Sequence, residues 1–524
     1  LIPWFLTLLS GVLTTALFPP FDLWPLAAAA LVPLFSAVWQ EDWHRAWRTG
    51  WVYGLVFFGS LLYWLAPTIS RFGNIPIWAA IPVIGLLVCY LAFFPALWAG
   101  ISAYLSTRLC NRFFAGLVVA LLWGSLEWLR GWLLSGFPWG SLAYALAPQP
   151  LLFQSADIWG PYSISAILVF INFLLYDAVA NMDICRGLDV RFITNLLCVL
   201  VICGGTASYG VIRYRAISGS DPAYPSIRAA AIQGSLPQEM KWAPGLQRHT
   251  VNIYQRLTLQ AARRLSPSFE GKVRPQGLPD LLVVWPETAM PFFFQQGGEL
   301  ADAVKQTARE VHGAILFGTP AFDTGPGMRR IYFNRACLVD DQGRLAGTYD
   351  KMHLVPFGEY LPWGPLTSWA RRLVPAAGDF TAGNSAAPLS YHQVRAGVLI
   401  CFESIFPGLA RKRVIQGANC LVVITNDSWF GDTGAPYQHA EMAAFRAVEQ
   451  RRWVIRAANT GVSEIISPTG QVVAKSSLFR QDIVTGTIRL RDDATVYQRV
   501  GDIPLLLLTV VLSAVSGCLA RRPH

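Results

Sequence analysis

The 524-residue chain is 53% apolar, carries 20 Trp and has a formal charge of +10, and its mean hydropathy is positive. It is too long for one ordinary soluble domain, and its composition is that of a membrane protein. The bases are scattered over loops, which argues against a nucleic-acid partner, and nine Cys without a paired CxxC spacing give little support to a zinc ribbon or disulfide framework.

About 20 mostly apolar residues cross a bilayer. Stretches of that kind predict eight spans near 4–20, 24–40, 50–67, 76–106, 113–134, 161–180, 192–212 and 503–520. The fourth is long and contains Pro82 and Pro95; one kinked helix is favoured over two short ones, because the basic loops then alternate. Arg45 and Arg48, Arg108 and Arg112, Arg186 and Arg191, and Arg521 and Arg522 fall on one side, with Arg71 the exception. The positive-inside rule makes that side cytoplasmic and puts about 216–500 outside, which in a bacterial inner membrane is the periplasm. No small-residue cleavage site follows the first stretch, so no cleavable signal peptide is expected. Glu127 and Arg130, three apart in an apolar span, are expected to pair and hold their helix against the external domain, a structural role favoured over substrate contact.

From residue 227 the pattern changes to short β-like runs at 227–233, 281–285, 314–318, 333–339, 394–400, 420–425, 453–457 and 462–466. Helix-like stretches at 247–265, 300–311 and 438–450 separate several of them, which predicts a layered α/β domain. Segments 266–280 and 323–328, rich in Pro and Gly, read as loops. The expected organisation is a bundle over 1–215, an external α/β domain over 216–500, and a last span with its tail over 501–524.

Three chemical groups lie near the ends of apolar runs. Cys401 follows 394–400, Glu287 follows 281–285, and Lys351 follows Tyr349-Asp350. A thiol with an ordinary pKa near 8.5 needs a base or a cation to become a nucleophile. Glu287 is a candidate base, Lys351 a candidate cation for thiolate and oxyanion, and Glu359 a second carboxylate to orient them. A triad with His439 as base stays open. There is no HExxH, no zinc-ligand spacing, no GxSxG elbow and no Walker loop, so neither metal nor cofactor is expected.

Trp285-Pro286-Glu287, the run from Lys351 to Tyr360 and Cys401-Phe402-Glu403 resemble the Glu-Lys-Cys signature of the nitrilase superfamily. Together with Ile232-Gln233-Gly234, Lys241-Trp242, Glu127-Trp128-Leu129-Arg130-Gly131, Phe137-Pro138-Trp139 and the run Thr425 to Gly431, they resemble its membrane-bound branch, the apolipoprotein N-acyltransferases. The resemblance implies a bundle of about eight transmembrane helices joined to an α-β-β-α sandwich. It implies Glu287, Lys351 and Cys401 as the catalytic set, with Glu359, Glu403 and Phe402 in support. Phe402 stands where the family often has Tyr. Trp242 is expected on a mobile arm, and Trp242, Asn426 and Trp429 are expected against substrate.

The implied reaction takes an acyl chain from a phospholipid to the amine of a diacylglyceryl apolipoprotein at the bilayer, by a monomer. A membrane-tethered amidase or nitrilase-type hydrolase is the alternative. Met290-Pro291-Phe292-Phe293-Phe294, and the stretch from Leu361 to Trp369, read as apolar arms that dip into the outer leaflet.

Overall fold

Each of the eight apolar stretches contains helix in the computed structural model, which describes residues 1–73, 75–180, 189–237, 244–266, 280–362 and 379–520. In chain order these are α1 (Ile2–Thr15), α2 (Val32–Val38), α3 (Trp43–Leu61), α4 (Leu65–Gly73), α5 (Ile77–Arg108), α6 (Arg112–Arg130), α7 (Ala156–Ala180), α8 (Val190–Ser220) and, near the end, α14 (Ile503–Ala520). Among the described residues, α5, α6, α7 and α8 are each long and apolar enough to cross a membrane, and α3 with α4, bent by 59°, makes a fifth if counted as one span. Three further apolar helices, Ile2–Thr15, Trp24–Val38 and Ile503–Cys518, are shorter. The fourth stretch is a single helix with Pro82 and Pro95 inside it, as the alternation of basic loops required.

Residues Leu1–Ser70, Pro76–Tyr214 and Arg499–His524 form one unit. Lipid gives helices no hydrophobic reason to associate, so close backbone approach and polar contacts do it instead. On α3, a Cβ at Gly50 would lie 2.4 Å from the Pro95 carbonyl, and one at Gly54 would lie 2.6 Å from Ala92 Cα. Only glycine lets α3 and α5 come this near. Asn172 of α7 accepts from the Leu31 N–H at 2.8 Å and donates to the Ala27 carbonyl at 2.8 Å. Ser125 of α6 bonds Thr509 of α14 at 2.8 Å.

Among the described residues Glu127 and Arg130 form no direct ion pair, although the two charges still attract each other. Glu127 Oε1 accepts from Trp123 Nε1 and from the Leu142 N–H, both at 2.9 Å. Arg130 donates to the Phe137 and Trp139 carbonyls at 3.2 and 2.5 Å and to Ser141 Oγ at 3.2 Å. Each charge has found neutral partners in the turn after α6.

The second unit comprises Arg71–Ile75 and Arg215–Gln498. Its strands are β1 (Ser226–Gln233), β2 (Leu281–Val284), β3 (Ala314–Thr324), β4 (Arg330–Val339), β5 (Leu345–Asp350), β6 (Leu389–Tyr391), β7 (Val394–Ile400), β8 (Cys420–Thr425), β9 (Val454–Ala458), β10 (Glu464–Ile466), β11 (Val472–Lys475) and β12 (Asp482–Arg489). They make two six-stranded sheets, ordered β12-β1-β2-β3-β4-β5 and β11-β10-β9-β8-β7-β6. The centres are parallel, β1-β2-β3 in one sheet and β7-β8-β9 in the other, with antiparallel strands outside. The first and last strands pair, from Ser226 opposite Arg489 to Gln233 opposite Asp482.

Alternation along the strands builds two cores from one apolar run. Leu282 and Val284 of β2 join Val398, Ile400, Val422 and Ile424 between the sheets. Leu281 and Val283 face outward and join α9 (Gln247–Leu265) and α10 (Glu299–Val311) through Tyr254, Leu257, Val304 and Ala308. Helices α11 (Pro407–Ile415) and α12 (Ala435–Gln450) pack on the second sheet, and a short α13 (Val496–Val500) follows. The order of layers is α-β-β-α.

The expected strands all appear, within a few residues except where β3 and β4 run longer; β3 extends to Thr324, into the expected 323–328 loop. Most of expected loop 266–280 lies outside the described residues. Met290 and Phe294 are buried in the core with α9 and α10, and Phe292 packs against it, while Phe293 meets the Phe322 and Tyr332 rings. Met290 and Phe294 therefore serve the core, and only the half-buried Phe292 and Phe293 are left to face outward. Most of the other expected arm, from Trp363 onward, lies outside the described residues.

Candidate active site

Parallel strands end on the same side, so the turns after them gather side chains that are far apart in sequence. Glu287 follows β2, Lys351 follows β5, Cys401 follows β7 and Asn426 follows β8. Lys351 Nζ lies 2.9 Å from Glu359 Oε2 and 3.7 Å from Glu287 Oε1, and its side chain is only 1% exposed. A buried ammonium needs such company. Burial would lower its pKa, but Glu359 and Glu287 together raise it above the usual lysine range. Lys351 is a fixed cation.

Two neutral donors hold the carboxylates. Asn334, in β4, gives one amide N–H to Glu287 at 2.7 Å and the other to Glu359 at 2.8 Å. The Asn426 N–H donates to Glu287 Oε2 at 3.0 Å, and the Val355 N–H to Glu359 Oε2 at 2.9 Å. Asn334 was absent from the sequence-based set. Its position inside a strand, where Asn is disfavoured, was the available signal.

Cys401 has φ of +53°, a left-handed conformation uncommon outside glycine. Burial and the Glu287 charge push its thiol well up, and Lys351 pulls it down. At rest the sulfur is a thiol beside a carboxylate and a cation. A nucleophilic role would require that proton to be removed.

Glu403 joins the two sheets. Its Oε1 accepts from the Met352 and His353 N–H groups at 2.8 and 3.1 Å, next to Lys351. Its Oε2 accepts from the Ile400 N–H at 2.8 Å, next to Cys401. The Tyr349 hydroxyl donates to Oε1 at 2.6 Å, and Arg413 lies 3.4 Å away, also donating to Tyr349. One buried carboxylate thus fixes the spacing of the lysine and cysteine turns.

Phe402 is buried, 5.0 Å from the Phe406 ring and 5.8 Å from His353 between ring centres. Asn426 Oδ1 accepts from Ser428 Oγ at 2.9 Å and from Asn459 at 3.1 Å, and Trp429 packs on Phe72 at 4.4 Å. The expected Trp242 lies outside the described residues. His439 Nε2 contacts the Cys401 carbonyl and Ser404 Oγ, so its ring is bonded to the backbone of the cysteine turn.

A cysteine, a glutamate and a lysine at the strand ends of two packed sheets define a carbon–nitrogen hydrolase, and the family model of that description matches residues 228–497. The model of the apolipoprotein N-acyltransferase N-terminal domain matches residues 10–174. Apolipoprotein N-acyltransferase of Geobacter metallireducens is 38% identical over 523 residues, covering 99% of this chain and 95% of its own. Those of Methylococcus capsulatus and Haemophilus influenzae are 33% identical (99% of this chain, 96% of theirs) and 29% identical (98% and 94%). The chain belongs to the apolipoprotein N-acyltransferase family and is an acyltransferase with apolar helices of membrane character.

Proposed function

We propose that the enzyme moves an acyl chain from a phospholipid to the α-amine of the diacylglyceryl-cysteine that begins an apolipoprotein, through a thioester on Cys401. The observation that carries this reading is the buried Lys351, 2.9 Å from Glu359 and 3.7 Å from Glu287, acting on the Cys401 thiol. Glu287 takes the thiol proton as sulfur bonds to the ester carbonyl carbon. Lys351 and the backbone N–H groups after Cys401 hold the resulting oxyanion. The ester C–O bond then breaks, Glu287 returns the proton to the departing oxygen, and a lysophospholipid leaves.

In the second half the amine nitrogen bonds to the thioester carbon. Glu287 takes its proton, the C–S bond breaks, and the proton passes to sulfur. An ester has become an amide, which is downhill and needs no nucleotide. Glu359 and Glu403 support the set, Phe402 packs beside it, and Trp242, Asn426 and Trp429 are assigned to substrate.

Membrane attachment follows from the substrates. Each buried CH₂ holds a lipid in the bilayer by about 0.8 kcal/mol, so the enzyme works where the chains are. In this reading 1–215 and 501–524 anchor a monomer in a bacterial inner membrane, and 216–500 stands in the periplasm.

The test is intact mass after incubating the purified protein with phospholipid alone. An acyl adduct is expected that hydroxylamine removes, that Cys401→Ala lacks, and that a diacylglyceryl peptide amine discharges. Free fatty acid in place of peptide acylation would make the protein a hydrolase. An adduct that persists in Cys401→Ala would remove the thiol from the mechanism.

A further inference from the structure

A left-handed backbone at a non-glycine residue costs of order 1–3 kcal/mol and persists only where its surroundings over-determine it. At Cys401 those surroundings are a buried network of side chains, several of which the acyl-transfer steps leave unused. His439, on α12, places Nε2 3.2 Å from the Cys401 carbonyl oxygen and 2.9 Å from Ser404 Oγ. Ser404 Oγ–H reaches the same carbonyl at 2.9 Å. Between them the ring nitrogen and the hydroxyl supply a proton to that carbonyl whichever tautomer the imidazole takes.

The other ring nitrogen, Nδ1, lies 3.0 Å from Asp427 Oδ1 and 3.1 Å from Arg456 Nη2. Arg456 also holds Asp427 Oδ2 at 2.8 Å, and the Thr425 hydroxyl donates to Asp427 Oδ1 at 2.7 Å. Contacts therefore run from Thr425 through Asp427 and His439 to the Cys401 carbonyl. Thr425, Asp427, His439 and Arg456 are each at most 1% exposed. Burial would raise Asp427, but Arg456 and His439 hold it down at about 2, so the network contains a permanent anion and its counter-cation.

We propose that His439, oriented by Asp427 and Arg456, is a positioning residue that fixes the left-handed turn of Cys401 and so aims the sulfur and the following N–H groups at the acyl carbonyl. This rests on Cys401 being the nucleophile. His439 acts through the backbone and takes no proton from the thiol.

The experiment is single-turnover acylation of the full-length protein by dioleoylphosphatidylethanolamine in mixed micelles, read by intact mass. His439→Leu is expected to acylate about 100-fold more slowly, with half-saturating donor unchanged to within about twofold. His439→Gln, whose amide can still donate to the carbonyl, is expected to recover about tenfold of that loss. A His439→Leu rate within about threefold of the parent, or a loss confined to donor saturation, overturns the proposal.

Should His439→Leu fail to fold, Asp427→Asn leaves the imidazole in place but weakens its orientation. About a tenfold slower acylation is then expected, and the parent rate overturns the proposal. Cys401→Ala separates the two ideas. If it still transfers acyl groups, the nucleophile is wrong; if it is inert while both network variants match the parent, only the positioning role fails.

Discussion

Two sets of buried charges in this chain are built on opposite plans. In the helical unit, Glu127 and Arg130 lie one turn apart on α6, yet each is bonded to neutral donors or acceptors around it. In the sheet unit, Glu287 comes from the connection after β2 and Lys351 and Glu359 from the one after β5, and they are bonded to one another, with Asn334 bridging the two acids. The first plan fixes backbone: Glu127 and Arg130 tie the turn at 137–142 to α6. The second couples protonation states, because the charge on each member sets the energy of the others. Spacing along a helix did not reveal which plan applies, whereas position after a parallel strand did.

Glu287→Gln should break the coupled set most severely. Acylation of Cys401 is expected to fall about 1,000-fold, measured as the rate of adduct formation by intact mass, while Lys351 stays buried against Glu359. A fall below tenfold would mean that the thiol finds another base.

Glu403→Ala comes next. It leaves Arg413, Tyr349 and three backbone N–H groups without their buried carboxylate, at an expected cost of about 3–5 kcal/mol in chemical denaturation. Loss of activity at full stability would show that Glu403 is part of the reaction and not the link between sheets.

Glu464 tests a carboxyl whose burial outweighs the pull of its neighbouring cations. It lies in β10 opposite Arg456 and Lys475, and burial raises its pKa to about 7 from 4.5, against the pull of those two cations. A carboxyl that binds its proton more tightly when folded adds stability below pH 4.5, and this contribution fades as pH rises to about 7. Glu464→Gln should remove that fade, gaining about 3 kcal/mol over the parent between pH 4 and pH 8. Parallel stability curves for parent and variant would contradict it.

Glu127→Gln should do least. The amide oxygen can keep both contacts, so stability should change by less than about 1 kcal/mol and acylation per folded molecule should not change. Slower acylation would bring the helical charges into the reaction and dissolve the contrast between the two plans.

Much of the site was legible in the sequence because buried parallel strands are continuous apolar runs, and β2 and β7 stop just before Glu287 and Cys401. Lys351 was legible for a weaker reason, since β5 is an edge strand with exposed positions. The same exposure hid β5 and β11, β6 is only three residues long, polar residues interrupt β12, and Pro407–Ile415 was hidden by its basic residues. Tyr349 and Arg413 were invisible because their role exists only once two sheets face each other, while Asn334 left only the weak signal of an Asn inside a strand. Met290 and Phe294 misled for the opposite reason: an aromatic cluster reads alike whether it meets lipid or a helix. The helical stretches were found by hydropathy, but their lengths were not, since helix ends depend on turns such as the one at Gly131 to Ser141.

The pairing of β1 with β12 has a mechanical consequence. Chain enters the sheet at Ser226 and leaves it at Arg489, and those two residues are partners. Tension on the two connecting segments would therefore act at one end of the ladder, parting Ser226 from Arg489 first and Gln233 from Asp482 last. A zipper loaded at its open end yields pair by pair at low force, while the same strands pulled from opposite ends would resist in shear. The covalent path that tethers the sheet unit at both ends also makes this seam the first place where pulling would begin to open it.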